Sequence, residues 1–173
     1  MGKRKMERVD EMKDWLREEK EELAKERIKS MKAQGKEEDF SKTLEQWILG
    51  KEGGSLVIAF LRSSYLTKSH KFYMGYYEGE PFVEEEIQTI FYPLPSMFQE
   101  VKEDIILFRK KLEKRFPRIL PSEEEEIRRW YMEHLYRDMG QVWEEFFKRK
   151  GKEGNLPVFY GGYMEELIQI GKI

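Results

Sequence analysis

Cysteine is absent from this chain of 173 residues, so disulfides, thiolate metal sites and cysteine nucleophiles are all excluded. Its absence fits a reducing compartment. Histidine is nearly as scarce: His70 and His134 are the only two. A site built on imidazole would need both of them brought beside carboxylates by the fold. Long apolar runs are missing too. The longest, Leu56 to Leu61, is far too short to cross a bilayer, and the basic start Lys3-Arg4-Lys5 is not followed by the apolar stretch of a secretory signal. These absences predict a cytoplasmic protein with no membrane association. Charge of one sign is also lacking, because 32 basic and 34 acidic side chains nearly cancel to a formal net charge of -2. No whole-molecule field directs the chain to nucleic acid.

What the chain has is charge in quantity, at 38% of residues against a norm of about 25%, together with 14% aromatic residues. Disordered chains combine high charge with few aromatics, so this mixture predicts long exposed helical faces around an aromatic core. A chain of this length removes roughly 70% of its unfolded surface from water and fits one domain. No internal repeat and no long linker divides it. The prediction is a single α+β domain over 1–173.

Residues 1–34 read as a long N-terminal amphipathic helix with a thin stripe of Met6, Val9, Met12, Leu16, Leu23, Ile28 and Met31. Glu19 and Glu26 interrupt the heptad that a coiled coil would need. A stripe so narrow leans either on the rest of the domain or on a second copy of the chain, as a homodimer. Gly35 closes this helix, and Ser41 is the expected N-cap of a shorter one that buries Leu44 and Trp47 and ends at Gly50.

Residues 55–92 are the strand-like island. The apolar run Leu56 to Leu61 predicts a strand covered on both faces. The next run puts Phe72, Met74 and Tyr76 on one face and Tyr73 and Tyr77 on the other. Glu78-Gly79 is expected to turn the chain into a third strand, Phe82 to Tyr92, where Glu84, Glu85 and Glu86 would mark an edge. The expected sheet is small, antiparallel and three-stranded, packed against several helices.

Two of those helices are legible from their periods. Ser96 and Gln99 would cap a helix over 96–116, with the stripe Phe98, Val101, Ile105, Phe108, Leu112 and Phe116. Ser122 and Glu125 would cap another over 122–150, burying Ile127, Trp130, Tyr131, Leu135, Met139, Val142 and Phe146. A glycine-containing loop from Gly151 to Gly162 then leads to a last short helix carrying Tyr163, Leu167 and Ile170.

No nucleophile elbow, phosphate loop, dinucleotide fingerprint or zinc motif occurs, so no enzyme, cofactor or metal is predicted. His134 and Asp138, one helical turn apart, are expected to form an ordinary i,i+4 pair. An enzyme would have to assemble Tyr, Glu and His residues distant in sequence, in a deep pocket with a buried carboxylate. The stretch Arg62 to His70 holds three basic or titratable groups, five hydroxyls and no acid, and joins two strands. Loops so placed collect binding residues. The candidate binding set is therefore Arg62, Ser64, Tyr65 and His70, joined by Tyr73 and Tyr77 of the aromatic strand, since tyrosine is enriched at interfaces.

The functional expectation is a non-enzymatic protein–protein interaction module, of the kind immunity and adaptor proteins represent. The alternative is a nucleic-acid-associated regulator that uses the basic N-terminal arm and the basic face of helix 96–116, formed by Arg109, Lys110, Lys111, Lys114, Arg115 and Arg118. Residues 1–36 carry twelve basic and nine acidic groups, and 96–121 seven and four, a net +3 in each. Neither approaches the basic stripe of a typical nucleic-acid module.

Overall fold

The computed structural model describes residues 2–33, 37–150 and 154–173, and their side chains except those of 2–6, 37–39, 95–98 and 150. Its elements are α1 (Gly2–Ala33), α2 (Glu37–Ile48), β1 (Ser55–Phe60), α3 (Arg62–Thr67), β2 (Lys71–Tyr77), β3 (Gln88–Pro93), α4 (Pro95–Leu112), α5 (Pro121–Asp138), α6 (Gly140–Lys150), β4 (Pro157–Gly162) and β5 (Leu167–Lys172). The class is α+β with a long N-terminal helix, as the sequence implies, but the sheet has five strands rather than three.

The strand order is β3-β2-β1-β4-β5. β1 pairs antiparallel with β2, β2 with β3, and β4 with β5, while β1 and β4 run parallel. The last two strands take the place of the terminal helix and of most of the loop expected from Gly151, whose first residues, 151–153, lie outside the described residues. They exist because β1, buried along its whole length, needs a partner on each side, and β4 supplies the one the expected meander lacked. Strand β3 starts at Gln88, so Glu84 to Glu86 lie in the connection before the edge strand and not on it.

Helices cover one face of the sheet. Leu56, Ile58, Phe60, Phe72, Met74, Tyr76, Val158, Tyr160 and Ile170 point into an apolar cluster completed by all the long helices. The stripe of α4 is buried at Val101, Ile105, Phe108, Leu112 and Phe116; Phe98 and Ser96 lie outside the described side chains. Each large side chain so buried contributes about 1.5–3 kcal/mol.

Helix boundaries differ from expectation in four places. Ser41 lies inside α2, where its hydroxyl donates to Glu45, because the helix already runs from Glu37. Gly50 does follow α2, with the positive φ of +77° that glycine adopts freely. Helix α4 takes Leu94, not Ser96, as N-cap, and α5 takes Leu120, not Ser122. Proline stands at the first helical position in both, where its missing N–H is no loss. The carboxylate that accepts the Leu120 N–H, at 2.8 Å, belongs to Glu123. The helix expected over 122–150 is broken at Met139, and Gly140, a weak helix former, opens α6.

Helix α1 lies against α4, α5 and α6. Val9, Met12, Leu16, Ala24 and Ile28 are buried there, so the stripe on which a homodimer through this helix would rest is occupied within the chain. Arg27 adds a forked ion pair to the fully buried Asp104 of α4, at 3.0 and 2.7 Å, and Tyr131 of α5 donates to the same carboxylate at 2.6 Å. Arg8 reaches Glu123, and Lys111 pairs with Glu19. No helix among the described residues is long and apolar enough to cross a membrane.

Candidate functional site

The six candidate residues do not gather in one place. Arg62 to Thr67 is a helix, not an open loop. Ser64 is buried and its hydroxyl donates to the Lys71 carbonyl at 2.7 Å, which ties α3 to the start of β2. Tyr65 is buried against Tyr136, and its own carbonyl accepts from Arg128 at 2.6 Å. His70 is 1% exposed, with Nδ1 3.0 Å from the Tyr136 hydroxyl. Burial first, then the nearby Arg128 charge, push its pKa down to about 4, so the ring is neutral at ordinary pH. Arg62 alone of this group faces solvent, and it pairs with Glu165 at 2.8 Å.

Tyr73 and Tyr77 lie elsewhere, on the sheet face that the helices leave uncovered. Strand alternation puts them there with Val57 and Ala59, and the rims are closed by Leu61, Phe82, Phe159 and Leu167. Tyr73 lies flat along its own strand over Gly75: a Cβ on Gly75 would come within 2.3 Å of the Tyr73 hydroxyl. That lets the two phenols meet at 2.6 Å. Burial, ahead of the field of Tyr73 and of Glu86, raises Tyr77 far above the ordinary tyrosine range.

Two turns bring further rings to this face. The connection between β2 and β3 drops Phe82 onto Tyr73 and Tyr77, with ring centroids 6.3 and 6.0 Å away. The turn between β4 and β5 brings Tyr163, 4.8 Å from Tyr73 and 5.3 Å from Phe82. From β3, Phe91 stands across from Tyr73 in the pairing register, with its ring 6.0 Å away. The tips of both turns hold a bulky residue in the left-handed region, Phe82 at φ +63° and Met164 at +61°. Each costs on the order of 1 kcal/mol or more, and such strain collects at binding sites.

Tyr73 and Tyr77 are sealed beneath this layer, at 2% and 1% exposure, so they form the floor of the surface and not its contact points. Its exposed rings are Phe91 at 55% and Tyr163 at 41%; Met164, in the β4–β5 turn, and Ile87, just before β3, are also exposed, at 64% and 59%. Sequence reasoning missed Tyr163 and Met164 because 163–170 reads as a helix as readily as a turn and strand. The available signal was the alternation of Val158 and Tyr160 with Phe159, which continues as strand through Gly161 and Gly162.

Other places with chemistry are engaged within the chain. His134 Nε2 is 3.3 Å from Asp138, the i,i+4 neighbour expected, and 3.6 Å from Glu21, while Lys20 Nζ is 3.3 Å from Nδ1. The buried carboxylate of Asp104 is held by Arg27 and Tyr131. A cleft of about 310 Å³ beside α5 holds Arg109, Arg128, Glu124 and Glu125, which pair with one another at 2.9 Å for Arg109–Glu124 and 2.6 Å for Arg128–Glu125. Arg109 of α4 also pairs with Glu113, and Arg115, just beyond the helix, lies over Trp15 and Phe116. The side chains of Lys3, Arg4 and Lys5 lie outside those described. Among the described residues, no three His, Asp or Glu side chains converge as a metal site requires.

No family model, curated protein or solved structure matches the chain.

Proposed function

We propose that the chain is a non-enzymatic protein–protein interaction module of the cytoplasm, adaptor- or immunity-like, that docks its partner on the open face of its sheet. The observation that carries this reading is a helix-free sheet face on which Phe91 and Tyr163, both packed against Tyr73, stay 55% and 41% exposed. Exposed aromatic rings on a highly charged protein are costly to leave in water, and surfaces rich in aromatics are characteristic of interfaces. Cysteine-free composition supports the cytoplasmic part.

The nucleic-acid reading draws less support, because Arg109 and Lys111 are already paired with Glu113, Glu124 and Glu19. One experiment addresses both. Tagged chain is co-purified from its native host with nuclease treatment, beside a variant carrying Phe91→Ser, Tyr163→Ser and Met164→Ser. The expected result is a stoichiometric protein that survives nuclease and is lost from the variant. Recovery of nucleic acid, a partner retained by the variant, or no partner at all would overturn the proposal.

A further inference from the structure

Several charges on the helices pair with one another. Arg128 pairs with Glu125, Arg137 with Glu133, Lys148 with Glu144, and Arg109 with Glu113 and Glu124. The connection between β2 and β3 departs from that pattern. Residues 78–87 contain Glu78, Glu80, Glu84, Glu85 and Glu86 and no basic residue, and all five carboxylates are exposed. The turn between β4 and β5 adds the exposed Glu166, while its neighbour Glu165 is taken by Arg62 and Arg137. Among the described residues, no Lys or Arg forms an ion pair with any of those six. A local hydrogen bond runs from the Glu80 N–H to the Glu84 carboxylate at 3.3 Å.

These carboxylates occupy the same two turns that deliver Phe82 and Tyr163 to the open face, so uncompensated negative charge rims the exposed aromatic surface. We infer that the partner segment recognised here is cationic and amphipathic, a stretch of another protein that alternates Arg or Lys with apolar residues. Carboxylates at the rim steer and pair the basic heads, while Phe91 and Tyr163 offer ring faces to guanidinium groups and apolar contact to the residues between. The protein already uses this chemistry internally: Arg115 lies over Trp15 at 4.9 Å, Lys20 over Trp130 at 4.7 Å and Lys51 over Tyr76 at 5.2 Å.

This inference rests on the docking reading, and its test separates the two. Full-length chain is titrated with labelled peptides of equal length in which Leu alternates with Arg, with Glu or with Ser. Three proteins are compared: the natural chain, the rim variant Glu84→Lys/Glu85→Lys/Glu86→Lys, and the surface variant Phe91→Ser/Tyr163→Ser. The Arg peptide is expected to bind the natural chain about tenfold or more tighter than the Glu peptide, with affinity that falls as salt is added. The rim variant should reverse that preference, and the surface variant should weaken every peptide. Equal binding of Arg, Glu and Ser peptides that is still lost in the surface variant would overturn the charge inference and leave the docking face standing. Binding untouched by the surface variant would overturn both. Absence of binding by the Arg peptide, or salt-sensitive self-association of the natural chain abolished by the rim variant, would overturn the cationic-partner inference, the latter by making a second copy the occupant.

Discussion

His70 shows how far one buried side chain can set the response to acid. In the unfolded chain its imidazole takes up a proton near pH 6.5, whereas in the fold, buried and near the Arg128 charge, it does so only near 4. Between those values the unfolded state binds more protons, so stability is complete above about pH 6.5 and declines as pH falls toward 4. The full shift corresponds to an upper figure of roughly 3 kcal/mol. Asparagine tolerates the left-handed backbone found here, φ +48°, so His70→Asn removes the titration with little backbone penalty. Urea unfolding of both proteins across this window should show the natural chain losing roughly 3 kcal/mol more than the variant. Parallel losses would mean that other groups govern the acid response.

At the scale of elements, the docking of α1 depends on a buried ionic contact as well as on its apolar stripe. Asp104 is fully buried, with Arg27 and Tyr131 as its partners, so Arg27→Ala leaves a carboxylate in a low-dielectric site with one neutral donor. The expected loss is about 3 kcal/mol, accompanied by faster hydrogen exchange along α1. Arg27→Met combined with Asp104→Leu should recover much of it, since no charge is then stranded; a double variant less stable than the single one would contradict this account. None of this pairing was legible in the sequence, because Arg27 and Asp104 meet only through tertiary packing. Local periodicity did reveal the stripe of α4 and the alternation of β2, with Phe72, Met74 and Tyr76 opposed to Tyr73 and Tyr77. It hid the break at Met139, because the apolar stripe continues across it from Leu135 to Phe146. It also hid β4 and β5. Tyr163, Leu167 and Ile170 fit a helical spacing as well as a turn and strand, and the parallel pairing of Leu56 with Val158 that decides between them is far from local. Of the candidate site, Tyr73 and Tyr77 were read as binding residues and lie instead buried beneath the surface, while the exposed rings Phe91 and Tyr163 were not among the candidates.

The whole molecule is asymmetric about its sheet, and that asymmetry is the physical basis of the functional reading. One face carries Met74, fully buried between the sheet and the helices; the other carries Phe91 and Tyr163, 55% and 41% exposed. If the first face is core and the second is docking surface, equal-looking truncations should have unequal consequences. Met74→Ala removes buried volume and leaves a cavity, and should cost about 2–4 kcal/mol in urea unfolding. Phe91→Ser with Tyr163→Ser removes rings already largely in water, and should cost less than about 1.5 kcal/mol in total, the loss coming from edge contacts with Tyr73 and Phe82. A small cost would fit rings that serve the proposed docking surface more than the fold. Should the surface variant prove as unstable as Met74→Ala, the open face would be a second core sealed by its two turns, and the docking function would have to be sought on the helices instead.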